Sequence, residues 1–146
     1  MAKGAKKPII TERPRAQKQP RIAVDPSTDG LSPTWSFRHV DIGSPWCFSQ
    51  VPQGDWVHLL AKLKHFEGLT WAQIGQNTGS HPVEINKLIP EARKRLTELG
   101  HGDREALYSL RVNGRPRIWG IRDGVVLRVI WWDGEHRICP STKKTK

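Results

Sequence analysis

The sequence predicts an α+β domain: a small antiparallel sheet, built from an N-terminal strand and a C-terminal three-stranded meander, with helices packed on one face. Three observations carry that expectation. After Asp103, β-like runs are punctuated by Asn113-Gly114, Asp123-Gly124 and Asp133-Gly134, dipeptides that suit tight hairpins because they tolerate positive φ. Between residues 55 and 100 the apolar residues recur at helical spacing instead. Ahead of them stands one short alternating run, Trp35 to Ile42.

The first strand is expected at Trp35–Ile42, where Trp35, Phe37, His39 and Asp41 alternate with Ser36, Arg38, Val40 and Ile42. Pro45 and Pro52 bracket a loop. A helix then follows from Trp56, Leu59, Leu60, Leu63 and Phe66, with Asp55 placed to cap it and Gly68 to end it. Thr70 is a cap for the next helix and Gly79 a break. Ser80 is read as a second cap, with Pro82 tolerated in a first turn. Pro90 interrupts the pattern, and a last helical piece, Glu91 to Leu99, closes on Gly100. In the meander, simple pairing across Asp123-Gly124 sets Arg117 opposite Ile130, Trp119 opposite Arg128 and Ile121 opposite Val126. Arg117 is then a guanidinium in mid-sheet that needs a partner, Asp133 or Glu135, or an uncovered sheet face. Pro116 removes one ladder bond and suggests a bulge or an edge. Trp119, Trp131 and Trp132 are expected in the core.

The 146 residues suit one small domain with tails, and no apolar run reaches membrane-spanning length. The lysine-rich start lacks the apolar stretch of a signal peptide, so a cytoplasmic protein with no membrane partner is expected. Two cysteines, Cys47 and Cys139, are too few for a disulfide framework and lack the spacing of a zinc site, so no metal and no cofactor are expected.

The net charge of +10 is unevenly distributed. Residues 1–34, rich in Pro, Lys, Arg and Gln without periodicity, are expected to be a disordered basic arm, and 141–146 a basic tail. Residues 35–110 carry eight charges of each sign, whereas 111–137 hold six arginines against three acids. A polyanionic partner is therefore expected at the C-terminal third. There Arg111, Arg115, Arg128 and Arg137, with Lys143 and Lys144 in the tail, are the candidate nucleic-acid contacts. The run that ends in Trp131-Trp132 passes at once into Asp133-Gly134-Glu135-His136-Arg137, an acid, an imidazole and a guanidinium that a phosphate-handling site can use.

A strand, a helical segment and a meander carrying "LRVNGRPRIWGIRDGVVLRVIWWDGEHRI" resemble the RelE/ParE-like superfamily of bacterial toxin components. The resemblance covers roughly residues 35–140 and is sharpest over 107–138. It implies an endoribonuclease that cleaves mRNA, in some members on the ribosome, and that is held inactive by an antitoxin protein. It also implies that Arg117 contacts the scissile phosphate and that His136 follows the last strand as a proton-transfer group. The chemistry is metal-independent attack of a ribose 2′-OH on phosphorus. His136 would act as base or acid near neutral pH, Glu135 would orient it or share the proton, and Arg117 with Arg111 would bind the phosphate. The chain departs from relatives that place a tyrosine beside the histidine: Arg137 stands there, and the one tyrosine is Tyr108.

Two other readings follow from the residues. "TWAQIGQNTGSHPVEINKLIPEARKRL" resembles a helix-turn-helix over 70–89, with Trp71–Gln76 as first helix and Pro82–Ile89 as recognition helix. Alternatively the toxin-like fold serves a non-catalytic interaction protein, encoded by a phage or mobile element.

Overall fold

A computed structural model describes residues 28–140, which form an α+β domain with one mixed five-stranded sheet and three helices. Residues 1–27 of the arm predicted over 1–34, and the tail over 141–146 with Lys143 and Lys144, lie outside the described residues. The elements in chain order are β1 (Thr34–Ser36), α1 (Trp56–Glu67), α2 (Trp71–Asn77), β2 (His81–Glu84), α3 (Pro90–Glu98), β3 (Ala106–Arg111), β4 (Arg117–Asp123) and β5 (Val126–Asp133). The sheet order is β1-β5-β4-β3-β2. The meander is antiparallel as expected, while β1 pairs parallel with β5, Trp35 opposite Leu127.

Local chemistry accounts for most of the helix ends. Thr70 accepts from the Gln73 amide while Gln73 Oε1 accepts from the Thr70 amide, a reciprocal capping box. Two further N–H groups of α2, on Trp71 and Ala72, donate to the carbonyls of Leu31 and Asp29, so residues 28–34 are tied to the domain. Pro90 does not interrupt α3 but opens it at the first turn, where its missing N–H is not needed. Beyond α3, Gly100 takes φ +89° and the His101 amide donates to Leu96 O at 2.8 Å, a Schellman closure. The helix expected to begin at Ser80 is absent. Residues 81–84 form an edge strand on β3, and the Ser80 hydroxyl accepts from the Arg111 amide at 2.9 Å instead of capping a helix. Pro82 is compatible with an edge because nothing there needs its N–H.

Helices cover both faces, not one. On one side Leu59, Leu63 and Phe66 of α1 and Trp71 and Ile74 of α2 pack on Tyr108, Leu110, Ile118, Leu127, Val129 and Trp132. On the other, Leu88 with Ala92 and Leu96 of α3 packs on Leu107, Trp119, Ile121, Ile130 and Trp131. Apolar residues on successive positions of β4 and β5 require this, since alternate side chains leave opposite faces. Trp119, Trp131 and Trp132 are all buried.

The register of the β4–β5 hairpin also differs from simple pairing. Gly124 and Val125 make the turn, with Gly124 at φ +63°, so Asp123 pairs with Val126. Gly120 pairs with Val129 but Trp119 pairs with Trp131, leaving Ile130 as the extra residue of a β-bulge. The bulge sends both Ile130 and Trp131 to the α3 side. It lies here and not at Pro116, which sits in the preceding turn with its carbonyl accepting from Val112 N. Arg117 therefore pairs with Asp133, in the terminal row of the sheet and not at its middle.

Candidate functional site

The site is built at one end of the sheet on its α3 side, beyond α3 itself. Registers define two cross-strand rows there. His81, Ser109, Trp119 and Trp131 form the inner row, and Arg111, Arg117 and Asp133 form the outer one. Asn113 at φ +67° and Gly114 at φ +70° turn the chain between β3 and β4, as the Asn-Gly pair predicts. Both arginines hold this turn from inside. Arg111 Nε donates to Gly114 O at 3.0 Å, and Arg117 Nη1 donates to the carbonyls of Gly114 (2.6 Å), Arg115 (2.7 Å) and Pro116 (3.2 Å).

At the end of β5, Asp133 is buried and accepts three N–H donors: Trp119 Nε1 at 3.2 Å, Arg137 N at 2.8 Å and Ile138 N at 2.9 Å. A carboxylate can accept on both oxygens at once, so this one residue folds the following segment back on the sheet. The fold-back puts His136 at φ +56°, a left-handed conformation that costs a non-glycine residue something to hold. His136 is half-buried, and its imidazole is held below the ordinary value of 6.5 first by burial, then by the charge of Arg117; Arg111 and His81 act in the same direction and Asp133 opposes them. Arg117 is likewise lowered by burial and by Arg111. His136, Arg117, Arg111 and His81 therefore share one electrostatic environment.

His81 was not singled out by sequence reasoning, which placed it at a helix start. The signal was present in Pro82 and Val83, an edge-strand pattern beside Gly79. Its Nδ1 faces the Pro82 carbonyl at 2.9 Å, which in the neutral ring places the proton on Nδ1 and directs Nε2 outward.

Other expected site residues are placed elsewhere. Glu135 does not orient His136: its carboxylate pairs with Arg115 at 3.0 Å on the exposed surface. Arg128 pairs with Asp123 at 2.8 Å, five residues along β5 from Asp133 and so roughly 17 Å from the terminal row. The Arg137 side chain lines a separate cleft of about 440 Å³ against Trp46, Ile89 and Lys94. Tyr108 is in the core, edge-on to Trp71 at 5.1 Å, with its hydroxyl pushed up to about 12 by burial. The recognition helix of the helix-turn-helix reading is replaced by β2 and a single 3-10 turn at Ile85–Lys87, so no helix is offered to a groove there.

Among the described residues, no group of three or more His, Cys, Asp or Glu is arranged to hold a metal ion, and no helix is long and apolar enough to cross a membrane. The chain matches no family model, no curated protein and no solved structure.

Proposed function

We propose that the protein is an endoribonuclease whose active site is at this end of the sheet, around its two last cross-strand rows, with His136 as general base and His81 as general acid. The observation that carries this reading is the register, which sets Arg111 beside Arg117 and Asp133 in the outer row with His81 at the edge of the row inside it, His136 following three residues after Asp133; the charges of Arg117, Arg111 and His81 lower the His136 imidazole in the same sense as its burial. A depressed imidazole is neutral at pH 7 and can accept a proton from a ribose 2′-OH. The 2′-oxygen attacks phosphorus, the bond to the 5′-oxygen breaks, and protonated His81 donates to that oxygen through Nε2. The products are a 2′,3′-cyclic phosphate and a 5′-hydroxyl. Arg111 and Arg117 stabilise the charge of the pentacoordinate phosphorus, which preorganised donors do without reorganising. Arg117 keeps Nη2 and Nε for this role, since among the described residues only its Nη1 is engaged.

A second reading, RNA binding without cleavage, is favoured by the grip of Arg117 on its own turn and by the pairing of Glu135 with Arg115. One experiment separates the two. Purified protein is incubated with end-labelled single-stranded RNA in EDTA, and termini are mapped for wild type, His136→Gln and His81→Gln. Cleavage leaving cyclic phosphates, reduced about 100-fold or more in each variant, is the expected result. A folded wild type that binds RNA but leaves it intact would establish the binding reading instead.

A further inference from the structure

A second basic cleft opens around the same sheet end, on the side of α1 and α2. It has a volume of about 220 Å³ and is lined by Lys62 of α1, Asn77 and Thr78 at the end of α2, Arg111 of β3, and Asn113 and Gly114 of the turn. Its chemistry is one-sided: two cations, two amides and a hydroxyl, with no carboxylate. Among the described residues Arg95, Arg104, Arg115, Arg122 and Arg128 each have a carboxylate partner. Lys62 and Arg111 have none among the described residues. The Lys62 ammonium is held over the Phe66 ring at 5.2 Å, and the Arg111 guanidinium lies where a side chain on Gly79 would be: a Cβ there would come within 3.0 Å of Nη1. Gly79 at φ +82° thus provides both the turn and the room for the guanidinium.

The C-terminus of α2 also faces this region and brings partial negative charge. That amounts at most to about half a unit, and the Ile74 carbonyl already accepts from both Thr78 N and Thr78 Oγ1. Two full positive charges outweigh it, so an anion is the favoured occupant. Arg111 lines this cleft and also stands beside Arg117 in the outer row, so the two sites adjoin.

We infer that the Lys62–Arg111 cleft is a second phosphate site, holding the phosphate adjacent to the one at the His136 row of a single-stranded RNA. The inference rests on the RNA reading of that row. It is tested by NMR titration of the intact protein with two uncleavable probes, a 2′-O-methyl uridine dinucleotide with one phosphodiester and the trinucleotide with two. Wild type, Lys62→Gln and Lys64→Gln are compared; Lys64 is on the same helix but does not line the cleft. The trinucleotide should bind wild type more tightly than the dinucleotide and shift the side-chain amides of Asn77 and Asn113. Lys62→Gln should weaken the trinucleotide about threefold to tenfold and flatten its salt dependence by about 0.7 in log-log slope. The dinucleotide, and Lys64→Gln, should be unaffected. Equal loss on both probes, no loss on either, an equal effect of Lys64→Gln, or no binding by wild type would each overturn the inference. Cleavage that survives such a result leaves the active-site reading standing. An intact RNA with the expected probe pattern removes catalysis but keeps the phosphate site.

Discussion

Gly120→Ala tests how the fold aims the site. A Cβ on Gly120 would lie 2.5 Å from Arg128 O, 3.1 Å from Arg128 C and 3.2 Å from Leu127 Cδ1. Ordinary contact begins at 3.4 Å, so the backbone of β5 must retreat by about 0.9 Å at the point where the bulge starts. Overpacking of this kind costs roughly 1–3 kcal/mol, on the order of 5–15 °C in Tm for a domain of this size. Urea unfolding at fixed pH should show a lower midpoint with the slope unchanged. Gly54→Ala, where no atom lies within 4 Å of the added Cβ, should be neutral or slightly stabilising. The clash can also be relieved by losing the bulge, and a one-residue slip would turn Trp131 and Asp133 to the wrong face. RNA cleavage should therefore fall further than the loss of folded protein explains. If Gly120→Ala unfolds at the wild-type midpoint within about 0.5 kcal/mol, and cleaves normally, the bulge does not control the site.

Asp133→Asn should lower stability by about 1–3 kcal/mol, because a carboxylate oxygen serving buried N–H donors is replaced by an amide that offers one acceptor; a wild-type urea midpoint would contradict this. Burial and three nearby cationic groups depress His136, so the acid limb of kcat/KM for RNA cleavage should fall below pH 6.5, and Arg111→Gln should move it upward. A limb at or above 6.5 that ignores Arg111 would exclude His136 as the base. His101 is depressed mainly by burial and then by His39, whose ring stands edge-on at 5.7 Å. Its folded value lies below the unfolded 6.5, so its contribution is fully present above pH 6.5 and is lost as pH falls through the folded value. His101→Gln should flatten the decline in unfolding free energy as pH falls below 6.5.

Turn chemistry and helix termini were legible because they depend on few, adjacent residues. Asn113-Gly114, Gly124, Thr70, Gly79 and Gly100 all act within their own turn. The α3 helix was readable from Ala92 and Leu96, although Pro90 was taken for an interruption when its position at a first turn favours a start. What escaped depends on pairing between distant segments. The hydrogen bonds of β2 come from β3, some 25 residues later, and Gly79 with Ser80 serve an edge strand as well as they would a helix start. The bulge arises because Trp131 and Ile130 must both reach the α3 core, a requirement that exists only once α3 has a place. Arg117 and His136 could be picked from their types and order. The partnership of Glu135 with Arg115, of Arg128 with Asp123, and of His81 with the inner row are consequences of register, which alternation alone did not fix.

The position of β2 has a consequence for the durability of the site. β2 is a four-residue edge strand, bonded on one side only, and Pro82 contributes no donor to it. Of the strands that contribute side chains to this end of the sheet, it is therefore the least expensive to detach, with an opening free energy below that of global unfolding. Its release would withdraw His81 while Arg111, Arg117 and His136 stay anchored on the three consecutive strands of the meander. The constellation thus has a removable member, and under the endoribonuclease proposal a ligand that docks along this edge would set how often His81 is in place.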